Sequence, residues 1–266
     1  MSRTILVVCE GHSDFPWIEI LVDRAVGAAR PYEVARDGID AIRRYVGLAG
    51  DDAVQQWPFV PFQNLGAFIE RFKRGKHRKQ FIEFRKGFPA ELPTHEDAKV
   101  FDLFFKLLVS SREEAPDVLL LVRDADSNDN RRTALSELDR HYRKDDVAVI
   151  VGVPHPETEC WLLAGFRHEM SDDEEKRLAQ YKRETRGVDP TSQSHQLNSP
   201  NESDPRHPKH ALDELCPDIS RKNQCLFAPF DMLRINGKQN GLADFLDALQ
   251  TRLIPRLFGG GVTPAR

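Results

Sequence analysis

The sequence predicts an α/β protein: a mostly parallel sheet with helices on both faces, followed by a helical C-terminal extension. Three observations carry this. Thr4–Cys9, Asp117–Val122 and Val147–Val153 are almost continuously apolar and rich in branched side chains, the pattern of strands buried on both faces. The stretches between them place apolar residues at helical spacing, so strand and helix alternate as in parallel crossover connections. Each of the three runs also stops abruptly in polar residues, where a strand leaves the core.

The elements follow in order. After the first strand, Gly11-His12-Ser13-Asp14 breaks the pattern, and a helix is expected with Ser13 or Asp14 as N-cap and Pro16 in its first turn. Ile18, Leu21, Val22, Ala25 and Val26 fall on one face of it. Tyr32–Arg36 reads as a short strand and residues 38–49 as a helix. The segment from about 51 to 95 is less regular. Its Arg71–Lys86 stretch has eight Lys or Arg against one acid, Glu83, interleaved with Phe72, Phe81 and Phe84. Residues 96–110 form a helix with Phe101, Phe104, Phe105 and Leu108 as its stripe. The second buried strand ends in Arg123-Asp124-Ala125-Asp126, and a loop leads to a helix running to about Arg143, with Asp129 or Asn130 as its cap. The third strand ends at Pro154. Ser171-Asp172-Asp173-Glu174 is a capping box. Residues 185–208, rich in Ser, Pro, Asn, Asp and His, are expected to be a mobile loop. Helices resume at Pro208–Leu215 and Leu242–Leu253, and the terminal GGGVTPAR is expected to fray.

The bulk properties narrow the class. No apolar run approaches the ~20 residues of a membrane helix, and no signal-peptide pattern precedes the first strand, so a soluble cytoplasmic protein is expected. The four cysteines form no CxxC pair, which argues against a zinc knuckle or a disulfide framework. A net charge of −4 leaves any nucleic-acid binding to a local basic patch.

Ligands of open α/β sheets bind at the carboxyl ends of the strands. Here those ends carry Glu10 and Asp14, then Asp124 and Asp126, then His155, Glu157 and Glu159. Several carboxylates meeting at one edge repel unless a cation is present. Oxygen donors without thiolates suit Mg²⁺ or Mn²⁺, and two such ions about 4 Å apart support phosphodiester hydrolysis. On an extended segment Asp124 and Asp126 share a face. Other readings stand beside these. Glu10 could be a strand-terminal surface residue, Asp14 a helix cap, and Glu157 a first-turn acid favouring a helix dipole. Lys73, Arg74, Lys76, Arg78 and Lys79 have the density to track a phosphate backbone, although a solvated amphipathic helix has the same pattern.

Glu10-Gly11-His12-Ser13-Asp14 after an N-terminal strand, with Asp124-Ala125-Asp126 after a later one, resembles the TOPRIM domain of topoisomerases, primases and related nucleases. Pro156–Ala164 (PETECWLLA) resembles the E-x-W-L-L-A signature of stand-alone TOPRIM-like proteins related to the overcoming-lysogenisation-defect nucleases and often linked to prokaryotic defence. The resemblance implies a Rossmann-like catalytic domain over 1–166 with an insertion at about 38–115, and a helical extension over 167–266. It implies Glu10 as general acid or base, and Asp124 and Asp126 as ligands of divalent metal, with Asp14, Glu157 and Glu159 as further ligands. Lys209, in a late helix, matches a lysine that such relatives often carry and would contact a phosphate or transition state; a solvated helix lysine is the plain alternative. The implied function is a Mg²⁺- or Mn²⁺-dependent nuclease binding two ions, in anti-phage or anti-plasmid defence. Two competitors remain: a non-catalytic or partner-dependent subunit beside an ATPase, since no Walker motif is present, and a metal-dependent nucleotidyl or glycosyl transferase using the D-x-D pair.

Overall fold

Three parallel strands with uninterrupted apolar sequences form the centre of the molecule. The structure, a computed structural model, describes residues 3–47, 58–74, 78–86, 95–110, 115–142 and 147–259. Strand β1 (Arg3–Cys9) pairs parallel with β4 (Val118–Val122), and β4 pairs parallel with β5 (Ala148–Gly152). Two shorter strands, β2 (Arg43–Tyr45) and β3 (Val60–Pro61), also pair parallel with β1. The order is β2-β1-β4-β5, with β3 beside the upper part of β1.

Alternation along the strands divides the core in two. Ile5, Val7, Cys9, Val118, Leu120, Val122 and Ile150 face one side. There they meet α1 (Asp14–Ala29), α8 (Glu159–Leu163), α9 (Asp172–Glu184), α10 (Pro208–Leu215), α11 (Ile219–Cys225), α12 (Phe230–Asn236), α13 (Leu242–Ala248) and α14 (Ile254–Phe258). A π-helical turn, Leu249–Leu253, joins the last two. Leu6, Val8, Leu119, Leu121, Val149 and Val151 face α4 (Leu65–Arg74), α5 (Arg78–Lys86), α6 (Glu96–Ser110) and α7 (Asp129–His141). Burial on both faces is why these strands lack a polar alternate position. The helices of 167–259 therefore complete one face of the sheet's own core, and those of 65–110 much of the other.

Close packing sets some residues tightly. Trp161 stacks on Phe245 at 4.9 Å between ring centroids, above Gly152 of β5. A Cβ at Gly152 would lie 2.8 Å from Trp161 and 2.9 Å from Phe245, so only glycine lets these rings reach the sheet.

Several expectations change. Tyr32–Arg36 is not a strand but part of helix α2 (Pro31–Asp37). Pro31 starts the helix and Gly38, at φ 77°, ends it. Of residues 38–49, only α3 (Ile39–Ile42) is helical before β2 joins the sheet; 48 and 49 lie outside the described residues. The free edge of β1 takes the strand, and the buried Arg43 beside it pairs with Asp23 at 2.6 Å and Asp40 at 2.7 Å. Tertiary context overrides local propensity here. Helices α11 and α12 were not anticipated. Leu242–Leu253 is α-helix followed by the π-helical turn. The tail expected to fray lies outside the described residues beyond Gly259.

Residues 185–208 are tied down by many polar contacts as well as by the core residue Leu197. Asp189 pairs with Arg167 at 2.7 Å and Lys182 at 2.5 Å, and accepts the Thr191 N–H at 3.0 Å. Thr191, Ser194 and Leu197 are buried. The composition that suggested a loop is that of side chains hydrogen-bonding the backbone of a packed, non-repetitive segment.

The outer edge of β5 is occupied by side chains. Asp139 of α7 accepts the Val151 N–H at 2.9 Å, Arg252 donates to the Val149 carbonyl at 2.8 Å, and the two side chains pair at 2.7 Å. A groove of about 520 Å³ runs along this edge, lined in part by Arg132, Asp139, Val151 and Arg252. Among the described residues, no helix is long and apolar enough to cross a membrane.

Candidate metal centre

The first carboxylate arrives at the end of β1. Glu10 follows the buried Cys9, half exposed at the strand's carboxyl end. Asp14 is the first residue of α1 rather than its N-cap. It folds back to accept the Gly11 N–H at 3.0 Å, closing the turn between strand and helix. Burial raises its pKa, only partly offset by the Gly11 and Ser13 hydrogen bonds and by the positive charge of Lys209.

The second pair follows β4, but not by strand alternation. Asp124 is 8% exposed. The chain then turns: Asp126 and Ser127 adopt left-handed conformations, φ 47° and 56°. The Asp126 N–H donates to the Pro156 carbonyl at 3.0 Å, and the Asn128 N–H to Ala125 at 2.8 Å. Asp126 therefore reaches Glu10 and Asp124 by a turn that costs about 1 kcal/mol of backbone strain at each of its two left-handed residues, where an extended D-x-D was expected. Asn128, not Asp129 or Asn130, caps α7, accepting the Arg131 N–H.

Glu10, Asp124 and Asp126 each offer a carboxylate oxygen, and the three oxygens lie within 4.8 Å of one another. Two oxygens across an octahedral Mg²⁺ are about 4 Å apart, so the set fits an ion of this class with little closure. The third motif surrounds it. The Thr158 hydroxyl donates to Asp124 Oδ1 at 2.7 Å. Burial drives the Asp124 pKa well up; Thr158 opposes this, while Glu159, Asp14 and Asp126 add to it. Burial, with Glu157 and Asp14 adding to it against Lys209, pushes Glu159 up to about 7. Glu157 is also raised by burial, despite His207 and Lys209. Its Oε2 is buried without a hydrogen-bond partner. Lys209, at the start of α10, is half exposed, lies 3.4 Å from Glu202, and has its pKa raised by Glu159 and Glu157 against the effect of burial.

The structure thus brings Glu10, Asp14, Asp124, Asp126, Glu157, Glu159 and Lys209 into one electrostatically coupled neighbourhood. It also holds groups the sequence did not single out. Arg123 pairs with Glu10, and with Asp97 of α6 at 3.1 Å. Arg131 of α7 pairs with Asp126 and lies 2.9 Å from Asp97. That last contact joins two charges without an aligned hydrogen bond, since Arg131 Nε has no hydrogen-bond partner. The imidazole of the buried His207 lies 3.6 Å from Glu157. Arg123 adjoins the D-x-D, Thr158 sits inside the PETE run and His207 stands in the His207-Pro208-Lys209 run with Lys209, so all three were visible; Asp97 is too distant in sequence for any motif to point to it.

In the basic stretch the aromatic residues belong to the core. Phe72 and Phe81 are core residues beneath α4 and α5, and Phe84 packs against the same cluster. They are unavailable to bases. Lys73 pairs with Glu70 and lies over Phe81, while Arg74, Arg78 and Lys79 are exposed. Lys76 lies outside the described residues.

Comparison with family models, with curated proteins and with solved structures finds no match for this chain.

Proposed function

We propose that the chain is a TOPRIM-like, divalent-metal-dependent nuclease acting on DNA or RNA phosphodiesters. The observation that carries this reading is the convergence of Glu10, Asp124 and Asp126 at the carboxyl ends of adjacent parallel strands. Two further features support it. Buried carboxylates with raised pKa values are costly as anions in the metal-free protein and gain most from a bound cation. The donor set is all oxygen, suited to Mg²⁺ or Mn²⁺. Asp124 and Asp126 would hold the metal with Glu10; Asp14, Glu157 and Glu159 would complete the shell directly or through water. Bound there, the ion supplies activation of water and charge stabilisation on the phosphate. Under this reading the half-exposed Glu10 would move a proton and Lys209 would bind a phosphate oxygen. Prokaryotic defence as the setting rests on the sequence resemblance alone.

A second reading has its own observation. Arg123 and Arg131 already neutralise Glu10 and Asp126, as in a site kept for structure. Under this reading the chain is a non-catalytic or ATPase-dependent subunit. Cleavage of labelled single- and double-stranded DNA and RNA with Mg²⁺ or Mn²⁺ separates the two. The nuclease reading expects cleavage abolished by Glu10→Gln and Asp126→Ala with nucleic-acid binding retained, because backbone affinity comes from Lys and Arg. Undiminished cleavage by both variants would sink it. No activity from the parent alone, with activity on adding an ATPase partner, favours the subunit.

A further inference from the structure

Beside the carboxylates, three separate elements that carry Arg132, His155 and His195 meet at one place: α7, the loop after β5, and a 3-10 turn at Ser194–Gln196. One short segment gathers them. The Gln239 carbonyl accepts from the Arg132 guanidinium at 3.3 Å. The Asn240 carbonyl accepts the His155 backbone N–H at 3.0 Å. The Asn240 side-chain amide donates to the hydroxyl of Ser194, the neighbour of His195, at 2.9 Å. Asn240 is 1% exposed and is further fixed by the Cys160 carbonyl at 2.7 Å and the Trp161 indole at 2.9 Å. The next residue, Gly241, has φ 88°, and a Cβ there would lie 2.3 Å from the Val153 carbonyl. The segment is thus pressed against the exit of β5, and the buried asparagine acts as a rigid hub.

Among the described residues the Arg132 guanidinium at the hub is not paired with an acid, although Asp129 lies near His155. Arg123 and Arg131 are engaged by Glu10, Asp97 and Asp126. Arg132, by contrast, has no carboxylate within salt-bridge distance among the described residues, and its guanidinium bonds only the Gln239 carbonyl. His155 Nδ1 is buried without a hydrogen-bond partner. Burial and then Arg132 hold both imidazoles below their ordinary pKa, placing the guanidinium charge beside each; Asp129 opposes this at His155 and His195 reinforces it.

We infer that Arg132, His155 and His195 form a phosphate-binding subsite adjoining the carboxylate cluster, which takes a backbone phosphate of the nucleic-acid strand next to the one being cut. A guanidinium and two imidazoles drawn from three elements suit a tetrahedral oxyanion with several acceptor oxygens. The position follows from the loops. The Ala125 and Asp126 N–H groups donate to the Pro154 and Pro156 carbonyls, at 2.9 and 3.0 Å, on either side of His155. Arg132 also follows Arg131, which holds Asp126. The inference rests on the nuclease reading for the identity of the strand, but not for the presence of an anion site.

The experiment uses the full chain, in chelator, with Arg132→Gln and His195→Gln made separately and Arg140→Gln as a control on the same helix. Affinities are measured for inorganic phosphate and for a fluorescent single-stranded oligonucleotide at fixed salt; cleavage by each protein is then followed in Mn²⁺. Arg132→Gln and His195→Gln should each weaken both ligands by about tenfold, the loss of one charge-assisted hydrogen bond, with the metal-induced rise in Tm intact and Arg140→Gln unchanged. His195 lies outside the helices and keeps the test open should the Arg132 variant not fold. Parent-like affinities for both ligands in the folded variants overturn the subsite, even if the parent cuts. Loss of phosphate binding with oligonucleotide binding intact overturns the backbone assignment. Weakened binding of both ligands beside a parent that does not cut supports the subsite and counts against the nuclease reading.

Discussion

Two clusters in this protein join acids to arginines, and they are built in opposite ways. Glu174, in the capping box of α9, accepts the Ser171 N–H at 2.7 Å and pairs with the buried Arg221 at 2.5 Å. Arg221 places its other nitrogen donors on the Phe166 carbonyl at 2.6 Å and the His168 carbonyl at 3.4 Å. Burial pushes the Glu174 carboxyl up, but the Ser171 and Arg221 hydrogen bonds outweigh it and hold it below its ordinary value. At the strand ends the balance reverses. Six carboxylates share a neighbourhood: Asp124 is driven upward by burial and by the charges of Glu159, Asp14 and Asp126, and Glu159 by burial and by the charges of Glu157 and Asp14. A matched buried pair serves the fold; an excess of buried acid is destabilising on its own and acquires a purpose only with a cation.

The largest expected effect breaks the matched cluster. Arg221→Ala leaves Glu174 buried without its partner and two carbonyls without donors. It should destabilise the protein by about 3–5 kcal/mol in urea unfolding. Asp124→Asn, equally buried, should leave the metal-free protein as stable as the parent or more so. Comparable losses in both would remove the distinction.

Metal sharpens it next. Saturating Mn²⁺ binds only the native state and should stabilise the parent by about 2.7 kcal/mol at a hundred times Kd. Asp124→Asn should abolish most of that gain and Arg221→Ala none of it. An equal metal-induced shift in Asp124→Asn and parent would count against a metal at these carboxylates.

The clusters should also respond to pH with opposite signs. Glu159 titrates at about 7 in the fold against an ordinary 4.5, so between these values the native state binds the extra proton. Stability of the metal-free protein should therefore fall as pH rises from 4.5 to 7, and Glu159→Gln should flatten that slope. Glu174 is held low, so its contribution is complete above its ordinary value and is lost as pH falls through the folded one. Thermal melts across pH 4–8 read both limbs, and a Glu159→Gln profile parallel to the parent's would contradict the shift.

The smallest effect concerns the competing cations. Arg131 and a metal ion contend for the oxygens of Asp126. Arg131→Gln should change stability by less than about 1 kcal/mol, as for a partly exposed pair, while tightening Mn²⁺ binding several-fold by titration. Weaker metal binding would mean instead that Arg131 holds Asp126 in its ligating position.

The central strands and the carboxylates at their ends were legible in the sequence because burial on both faces leaves a plain apolar run that stops where the chain leaves the core. Thr4–Cys9 and the turn at Gly11 placed Glu10 and Asp14, and DVLLLV placed Asp124. The geometry of Asp126 was not legible: its left-handed turn is fixed by a hydrogen bond to Pro156, thirty residues away. Strand β2 was hidden for a similar reason, since RRY becomes a strand only where β1 offers an edge and Asp23 and Asp40 receive Arg43. The loop reading of 185–208 followed polarity, which does not distinguish a solvated segment from one held by Asp189, Thr191 and Asn240. Arg123 and Arg131 were passed over because a motif search for ligands attends to acids and not to their counter-charges.

The last strand of the sheet has a consequence beyond the site. An open β-edge invites another chain to add itself, and proteins usually deter this with bulges, prolines or a covering helix. Here Asp139 and Arg252 supply one acceptor and one donor where a sixth strand would supply its own, and they neutralise each other in doing so. The pair is a terminator for strand addition assembled from side chains, set where a neighbouring chain would otherwise find the Val149 carbonyl and the Val151 N–H unclaimed.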